Sequence, residues 1–346
     1  MNAEIMKAYG GATGIATMTF DDGLRKTAQL LDKLCEKYEC RASLMLCTHA
    51  VNDDTVDFWR EIFSHGRLFP ESHSTRHHYL TQSHPENLTE QIITSEIEGS
   101  LETLRKYLPE YPCLGFGIPY SSYVEEAFAH LYRTFYVVRG GVCAIVSKSY
   151  KGMVQSLDPV PGSNEAGGWY RPIGIRMQPE KSYVNGYEDI TVDNLIAHLN
   201  KCATEGGWFI SGAHGIVEGE NLDIKEEDIS RIMARMQELS HAGRLWVTDL
   251  STATKYMRER QGAHLEYTEA RGGCTIRITL DEMTPDGLPL TPSVFDHPLT
   301  VRVELPADAR SAKYGKSTSE GFTADGKKYA YVNVVPNGEA VNVSFI

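Results

Sequence analysis

Short apolar runs alternate with longer amphipathic stretches over the first 260 residues. The runs GIATMTF (14–20) and ASLMLC (42–47) have the length and composition of buried strands. Helical spacing is clearest over residues 87–108, where Asn87 with Glu90 is typical of a capping box. Apolar residues then recur there every three or four positions: Ile93, Ile97, Leu101, Leu104 and Leu108. The alternation predicts an α/β fold with a parallel sheet, organised as a (β/α) barrel with functional residues after the strands.

Weaker signals extend the same alternation through this region. Further strands are predicted at four apolar segments: CLGFGI, FYVV, WFISGA and RLWV. Further helices are predicted over residues 24–38, 54–66, 123–133, 191–205, 225–242 and 249–260. About 250 residues suffice for one barrel, with seven or eight strand–helix units.

The pattern changes near residue 261. From there to the end, polar and apolar residues alternate, and turn signals recur at RGG, PDG, ADGKK and PNGE. This pattern is typical of antiparallel strands with one buried face. We therefore predict two domains, a barrel over residues 1–260 and a small antiparallel β-sandwich-like domain over residues 261–346. The default role of the second domain is an interface or packing role, with carbohydrate binding as an alternative.

Composition and charge narrow the class of partner. The chain is 41% hydrophobic and 23% charged, which is ordinary for a globular protein. A formal net charge of −12 argues against nucleic acid or an anionic membrane as partner. The seven cysteines form no CxxC pair, so we expect small buried hydrophobes in a reducing compartment. With no apolar leader visible, a cytoplasmic protein is expected, and export after removal of a leader is the alternative.

Two adjacent aspartates, Asp21 and Asp22, follow the first predicted strand in the segment TFDDG. Two carboxylates in one site repel each other, and one of them usually acquires a raised pKa. The pair is tolerable where the two side chains face different partners, such as a metal ion and a substrate water. Partners for both aspartates are therefore expected elsewhere in the chain.

Histidines supply the candidate partners. Residues 69–84 contain His73, His77, His78 and His84. His73 and His77 are four apart and would share one face of a helical turn, so that an Asp–His–His set suits zinc or another first-row divalent metal. A further histidine, His214, comes after the apolar run in GGWFISGAHGI, where a barrel strand would deliver it to the active-site edge.

The segments TFDDG, HSTRH and SGAHG resemble three motifs of the polysaccharide deacetylase family, the NodB-homology group or carbohydrate esterase family 4. The resemblance covers roughly residues 15–260 and implies a distorted (β/α) barrel of the NodB type. It also implies roles for individual residues. Asp22, His73 and His77 would be the metal ligands, Asp21 the catalytic base and His214 the catalytic acid.

The segment FGIPYSSY resembles the third motif of the family, which lies beside the site. Pro119 would then contact substrate, and the backbone N–H of Tyr120 would donate to the oxyanion. The arginine that normally precedes this proline is missing here. Arg139 follows a predicted strand and is the candidate replacement, with an ordinary surface arginine as the alternative.

Other departures from the family pattern concern the fourth and last motifs. The aspartate that charges the catalytic histidine is not recognisable, and Asp158 and Glu165 are the candidates. Trp169 and Tyr170 are predicted to stack on a sugar, or else to anchor a packed loop. Gly212 replaces a bulky aliphatic residue of the acetyl pocket, which leaves acetyl specificity less secure than hydrolysis.

These features predict a metal-dependent hydrolase that removes N- or O-linked acetyl groups from a carbohydrate by metal-activated water. Zinc is the first choice of metal, with cobalt, nickel and manganese as alternatives. The expected partner is an acetylated carbohydrate, with neither nucleic acid nor membrane, and a homo-oligomer is left open. Two alternatives remain: hydrolysis of another C–N bond in a cyclic ureide, imide or amide, and a catalytically weak glycan-binding pseudoenzyme. An iron oxygenase is disfavoured because its ligands normally lie on a small β-barrel.

Overall fold

Two compact units make up the chain. The computed structural model describes residues 2–140, 142–143, 146–147, 154–159, 168–169, 174–177, 187–188 and 190–346. One unit comprises Gly14–Thr254, and the other comprises Met1–Thr13 with Lys255–Ile346. The first strand, β1 (Ala3–Ile5), therefore belongs with the C-terminal residues. The sequence pattern placed these first residues with the barrel, because a strand of three residues is too short to show a polar and apolar alternation of its own.

The Gly14–Thr254 unit is built around a parallel sheet. Its described strands are β2 (Gly14–Phe20), β3 (Ala42–Leu46), β4 (Leu68–Ser72), β5 (Gly115–Gly117), β6 (Val137–Arg139), β7 (Val142–Cys143), β8 (Val146–Ser147), β9 (Gly174–Arg176), β10 (Tyr187–Glu188), β11 (Gly207–Ala213) and β12 (Leu245–Val247). The parallel order is β6-β5-β4-β3-β2-β11-β9-β7, with β12 also on β2, and β8 pairs antiparallel with β10. The predicted α/β class is confirmed.

Helices follow most of the long strands, as the periodicity predicted. They are α1 (Arg25–Lys37), α2 (Val56–Ser64), α3 (Glu90–Tyr107), α4 (Glu125–Thr134), α5 (Val192–Glu205), α6 (Glu226–His241) and α7 (Leu250–Gln261). The start of α3 differs from the prediction. Its N-cap is Thr89, whose hydroxyl accepts from the N–H of Ile92 at 3.3 Å, whereas the Asn87 side chain donates to the carbonyl of Tyr79.

The central strands bring two functional segments to the same edge of the sheet. All seven residues of β2 are buried, which explains why its sequence contains no charged residue. Strand β11 runs parallel to it, in a register that pairs Phe20 with Ala213. The N–H of Asp21 donates to the carbonyl of Ala213 at 2.9 Å. The residues that follow the two strands, Asp21 and His214, therefore emerge side by side.

Strand β4 was not predicted, because its sequence LFPES contains a proline and a charged residue. The structure buries Glu71 completely, and its Oε2 accepts from the N–H of Gly115 at 2.8 Å. Burial raises the pKa of Glu71 to about 8. A strand of this composition becomes recognisable only when the partner of its carboxyl group is known.

The other unit consists of antiparallel sheets, as predicted. One has the order β1-β15-β19-β18 and the other β13-β14-β20-β16-β17. Their strands besides β1 are β13 (Ala263–Ala270), β14 (Gly273–Leu280), β15 (Leu299–Leu305), β16 (Ser311–Tyr314), β17 (Ser317–Glu320), β18 (Phe322–Ala324), β19 (Lys327–Val334) and β20 (Val341–Phe345). Alternate residues of β14 and β19 are buried, including Ile276, Ile278, Ala330 and Val332, which explains the period-two pattern.

Cysteine burial agrees with the sequence. The described cysteine side chains are free thiols in the interior: Cys35, Cys40, Cys47, Cys113, Cys202 and Cys274. They pack as small apolar groups, as expected. In the part of the chain that the structure describes, every helix is too short or too polar to cross a bilayer. The compartment remains a prediction.

Candidate active site

A cleft lies at the carboxyl edge of the parallel sheet, where the loops after β2, β4, β5 and β11 meet. Its volume is about 360 Å³. The lining residues come from all four loops: Asp21, Asp22, His73, His77, Ile118, Tyr120, Ser121, Gly212, Ala213, His214, Asn221 and Asp223. Ligand sites of parallel α/β sheets lie at this edge, so the sequence motifs converge where chemistry is expected.

Asp22, His73 and His77 form a compact donor set. The Oδ1 of Asp22 lies 3.7 Å from Nε2 of His73 and 3.6 Å from Nε2 of His77, and the two Nε2 atoms are 3.2 Å apart. Ligands about 2.0–2.1 Å from a tetrahedral ion lie roughly 3.3 Å from each other. The spacing and the donor types therefore fit a first-row divalent cation, although they do not select one.

The tautomer of His73 suits this use. Its Nδ1 hydrogen-bonds with the carbonyl of Gly117 at 2.9 Å, which leaves Nε2 facing Asp22. Metal-binding histidines are commonly oriented in this way. Burial lowers the pKa of both His73 and His77, which favours the neutral imidazoles that metal ligation requires.

The two histidines converge through a loop, and the predicted helical turn is wrong. His73 follows β4 directly, and Ser74 and His77 have φ values of 67° and 60°. These left-handed residues reverse the chain so that four positions span the site. The N–H of His77 donates to the hydroxyl of Ser74 at 2.9 Å. His78 points elsewhere, with its Nδ1 3.3 Å from Glu96, which agrees with the preference for His77.

Asp21 faces a different partner from Asp22. Its Oδ1 accepts from Nη2 of Arg139 at 2.6 Å, and both side chains are buried. Burial alone would raise the pKa of Asp21, but Arg139, His73 and His214 hold that pKa below its ordinary value. Arg139 is completely buried, so the surface-arginine alternative is wrong. The adjacent aspartates are compatible because Arg139 pairs with Asp21, whereas Asp22 lies beside both His73 and His77.

A glycine makes room for this arrangement. A Cβ atom on Gly117 would lie 2.7 Å from Nη2 of Arg139 and 3.0 Å from Nδ1 of His73. Strand β5 can therefore pass between the two side chains only without a side chain of its own.

His214 pairs with Asp223, a residue that the sequence analysis missed. Its Nδ1 lies 2.8 Å from Oδ2 of Asp223, which also accepts from the backbone N–H of His214 at 2.9 Å. This hydrogen bond raises the pKa of His214 against the opposing effect of burial. Asp223 therefore takes the position expected of Asp158, which is exposed, and the other candidate, Glu165, lies outside the described residues. An acidic residue shortly after the motif histidine was the available signal.

Tyr120 stands at the rim of the cleft. It has a left-handed φ of 53°, unusual for a non-glycine residue, and its side chain is 45% exposed. The ring contacts His77 edge-on at 4.4 Å and stacks on Tyr79. Pro119, which was predicted to contact substrate, is buried and is not among the residues that line the cleft, whereas Gly212 lines it without a side chain. The third-motif segment therefore borders the donor set.

Trp169, one of the two aromatic residues predicted to stack on a sugar, does not face the solvent. Trp169 is completely buried and contacts Trp208 edge-to-face, with ring centroids 6.4 Å apart. Its faces are closed to solvent, which favours the packed-anchor alternative. Tyr170 lies outside the described residues.

Residues 11–136 match the family model described as polysaccharide deacetylase. This match contains TFDDG, HSTRH and FGIPYSSY, whereas SGAHG lies outside it, and it confirms the family resemblance over the matched residues. The parallel β/α unit has the fold that the resemblance implied, and the antiparallel sheets are those that the alternating pattern predicted. No curated protein matches the chain.

Several solved structures are similar at low identity. The CE4 domain of a multidomain xylanase from the hindgut metagenome of Trinervitermes trinervoides is 16% identical, with a TM-score of 0.42 over 69% of this chain and 89% of that one. A family 4 acetyl xylan esterase from Clostridium thermocellum, in complex with a cobalt ion, is 17% identical, with a TM-score of 0.39 over 68% and 87%. A CE4 family pseudoenzyme from Bacillus anthracis is 11% identical, with a TM-score of 0.41 over 71% and 66%.

Proposed function

We propose that this protein is a metal-dependent hydrolase that removes acetyl groups from a carbohydrate. The observation that carries the proposal is one cleft that joins the Asp22, His73 and His77 donor set to an Asp21–Arg139 pair and a His214–Asp223 pair. A base, an acid and a Lewis-acid site are the groups that hydrolysis of an acyl bond uses. The family match supports an acetylated carbohydrate as the substrate class.

Asp22, His73 and His77 would hold the metal, with zinc as the first choice. A divalent ion held there supplies Lewis acidity, which polarises an acyl carbonyl and lowers the pKa of an attacking water. The other steps belong to the protein's own side chains. Cobalt, nickel and manganese accept the same imidazole and carboxylate donors, so the donor set does not choose among them.

Asp21 acts as the general base in this proposal. Arg139 occupies its Oδ1, and its Oδ2 lies 3.9 Å from Nε2 of His73. The free oxygen is therefore on the side of the donor set, and the lowered pKa keeps it ionised at neutral pH. It takes a proton from the attacking water as the new C–O bond forms.

His214 acts as the general acid. Asp223 accepts from Nδ1, which orients the ring and stabilises the imidazolium, and Nε2 is left to donate to the leaving group. The bond between the acyl carbon and the sugar nitrogen or oxygen then breaks. The products are acetate and a sugar with a free amine or hydroxyl. The backbone N–H of Tyr120 is the proposed donor to the oxyanion that forms before this bond breaks.

Hydrolysis of another C–N bond is the second candidate. Gly212 favours it, because a position that the family fills with a bulky aliphatic residue here adds no side chain to the cleft. A wider cleft would admit a cyclic ureide, an imide or a larger amide. The glycan-binding pseudoenzyme remains the outcome if no bond is cleaved.

A substrate panel separates these functions. Zinc-loaded protein is incubated with N-acetylated and O-acetylated oligosaccharides and with a cyclic imide, and His214→Ala is the matched control. We expect acetate from one sugar class and strongly reduced release by the variant. Cleavage of the imide alone would favour the second candidate. Glycan binding without any cleavage would overturn both hydrolase proposals.

A further inference from the structure

The loop that carries the metal ligands rests on a buried carboxylate from helix α3. Glu96 is 1% exposed, and its two oxygens accept from the N–H of Arg76 at 3.2 and 2.9 Å. Its Oε2 also accepts from the N–H of His78 at 3.4 Å. These two N–H groups belong to the residues on either side of His77. One carboxylate therefore binds the backbone on both sides of a proposed metal ligand.

The same turn of α3 holds the start of the loop. The N–H of Thr75 donates to the carbonyl of Glu96 at 3.2 Å, and the hydroxyl of Thr75 donates to the carbonyl of Ser95 at 2.6 Å. One turn further along, the hydroxyl of Ser100 lies 2.6 Å from that of Ser72. Hydrogen bonds therefore join α3 to the segment at Ser72, at Thr75 and Arg76, and at His78.

The loop and the Glu96 carboxylate stabilise each other. Left-handed φ values at Ser74 and His77 are unfavourable for non-glycine residues and persist only where the surroundings impose them. A buried carboxylate is unfavourable unless hydrogen-bond donors satisfy it. The loop amides satisfy Glu96, and Glu96 in turn fixes the strained loop. Its side chain is not among those that line the cleft, so it has no direct access to substrate.

We propose that Glu96 is a positioning residue that sets the affinity of the site for its divalent cation. It does so by holding the reversed loop that brings Nε2 of His77 to His73 and Asp22. Loss of the carboxylate would let the loop relax, so that His77 must be reordered each time the cation binds. The inference rests on the metal site of the proposed function, and it concerns affinity rather than the chemical step.

Two glutamates on one helix give a matched test. Glu96→Gln keeps the size but replaces one acceptor oxygen by a donor that faces backbone amides. Glu98→Gln makes the same change two residues away, where the carboxylate contacts His130 and Arg133 instead. The zinc Kd of each variant and of wild type is measured by competition with a chromogenic chelator, and acetate release is measured at saturating zinc.

We expect Glu96→Gln to weaken zinc binding by about 10-fold or more, as for other residues that orient metal ligands. Glu98→Gln should change the Kd less than about 2-fold, and saturating zinc should restore most of the turnover of Glu96→Gln. Equal affinities for Glu96→Gln and wild type would overturn the inference, as would equal losses in both variants or unrestored turnover. Wild-type protein without zinc affinity would instead overturn the proposed metal-dependent function and this inference with it.

A milder variant covers the case in which Glu96→Gln fails to fold. Thr75→Val removes the hydroxyl that donates to Ser95 and leaves Glu96 intact. We expect it to weaken zinc binding in the same direction by a smaller factor, with an unchanged far-ultraviolet circular dichroism spectrum. A folded Thr75→Val variant with wild-type affinity would contradict the idea that the anchoring of this loop controls binding.

Discussion

At the scale of single residues, the two neighbouring aspartates of the cleft differ in their principal partners. Asp21 is buried against the Arg139 guanidinium, whereas Asp22 is part of the donor set with His73 and His77. Asp22 has a left-handed φ of 72°, and His73 lies beside both carboxylates, 3.9 Å from Asp21 and 3.7 Å from Asp22. The repulsion between them is offset by different partners, which answers the question that the pair raises.

The roles of the two carboxylates should be separable by substitution. Asp21→Asn removes the proposed base and leaves the donor set, so turnover should fall by about 10²–10⁴-fold while zinc content is retained. Steady-state kinetics and elemental analysis on one preparation give both quantities. Near wild-type turnover would show that Asp21 is not the base, and loss of zinc would show that the two roles are not separate.

Asp223 gives a pH prediction. Its hydrogen bond raises the pKa of His214. A general acid is active only when protonated, so activity falls as the pH rises through this pKa. Asp223→Asn should therefore move the alkaline limb of kcat/KM to lower pH and slow substrates with poor leaving groups most. A limb that keeps its position in the variant would assign the alkaline limb to a group other than His214.

At the scale of elements, the spacing of apolar residues predicts strands and helices wherever one face, or the whole element, is buried. Strands β2 and β11 and helices α5 to α7 were predicted within a residue or two, because apolar periodicity specifies them. Strand β4 was missed because the partner of Glu71 lies in a distant part of the chain. The start of α3 was misplaced because Asn87 and Thr89 are both good caps, and only tertiary contacts choose between them.

The candidate site was predictable in its motif residues and less so in their supports. The residue types at Asp21, His73 and His214, and their order along the chain, suffice to suggest a site. The loop reversal at His77 depends on contacts with α3, and the pairing of Asp223 depends on a loop in which the N–H of Asp223 donates to the carbonyl of Gly215. Such contacts between separate segments leave little local signal.

Strand β5 gives a stability prediction. Gly117→Ala places a methyl group 2.7 Å from Nη2 of Arg139, so overpacking should destabilise the fold by about 1–3 kcal/mol. Gly99→Ala on α3 is the contrast, because its methyl group has room and alanine favours a helix by about 1 kcal/mol. Urea unfolding measures both. Equal stability of Gly117→Ala and wild type would show that β5 yields without disturbing the site.

At the scale of the whole molecule, metal binding should be linked to folding. The donors come from segments after β2 and β4, which are brought together only in the folded unit. A ligand that binds only the folded state adds about 2.7 kcal/mol at 100 times its Kd. Zinc should therefore raise the Tm of the chelated protein, and the rise should vanish in His73→Ala. A zinc-dependent rise that persists in this variant would place the cation elsewhere.

The most direct test of the central claim is acetate release by wild-type protein before chelation, after thorough chelation and after zinc is added back. The acetylated sugar cleaved most rapidly in the substrate panel is used. We expect acetate release to disappear with the metal and to return with zinc, and we expect little release from His73→Ala under any of the three conditions. Undiminished acetate release from wild-type protein shown by elemental analysis to hold no metal would contradict this expectation.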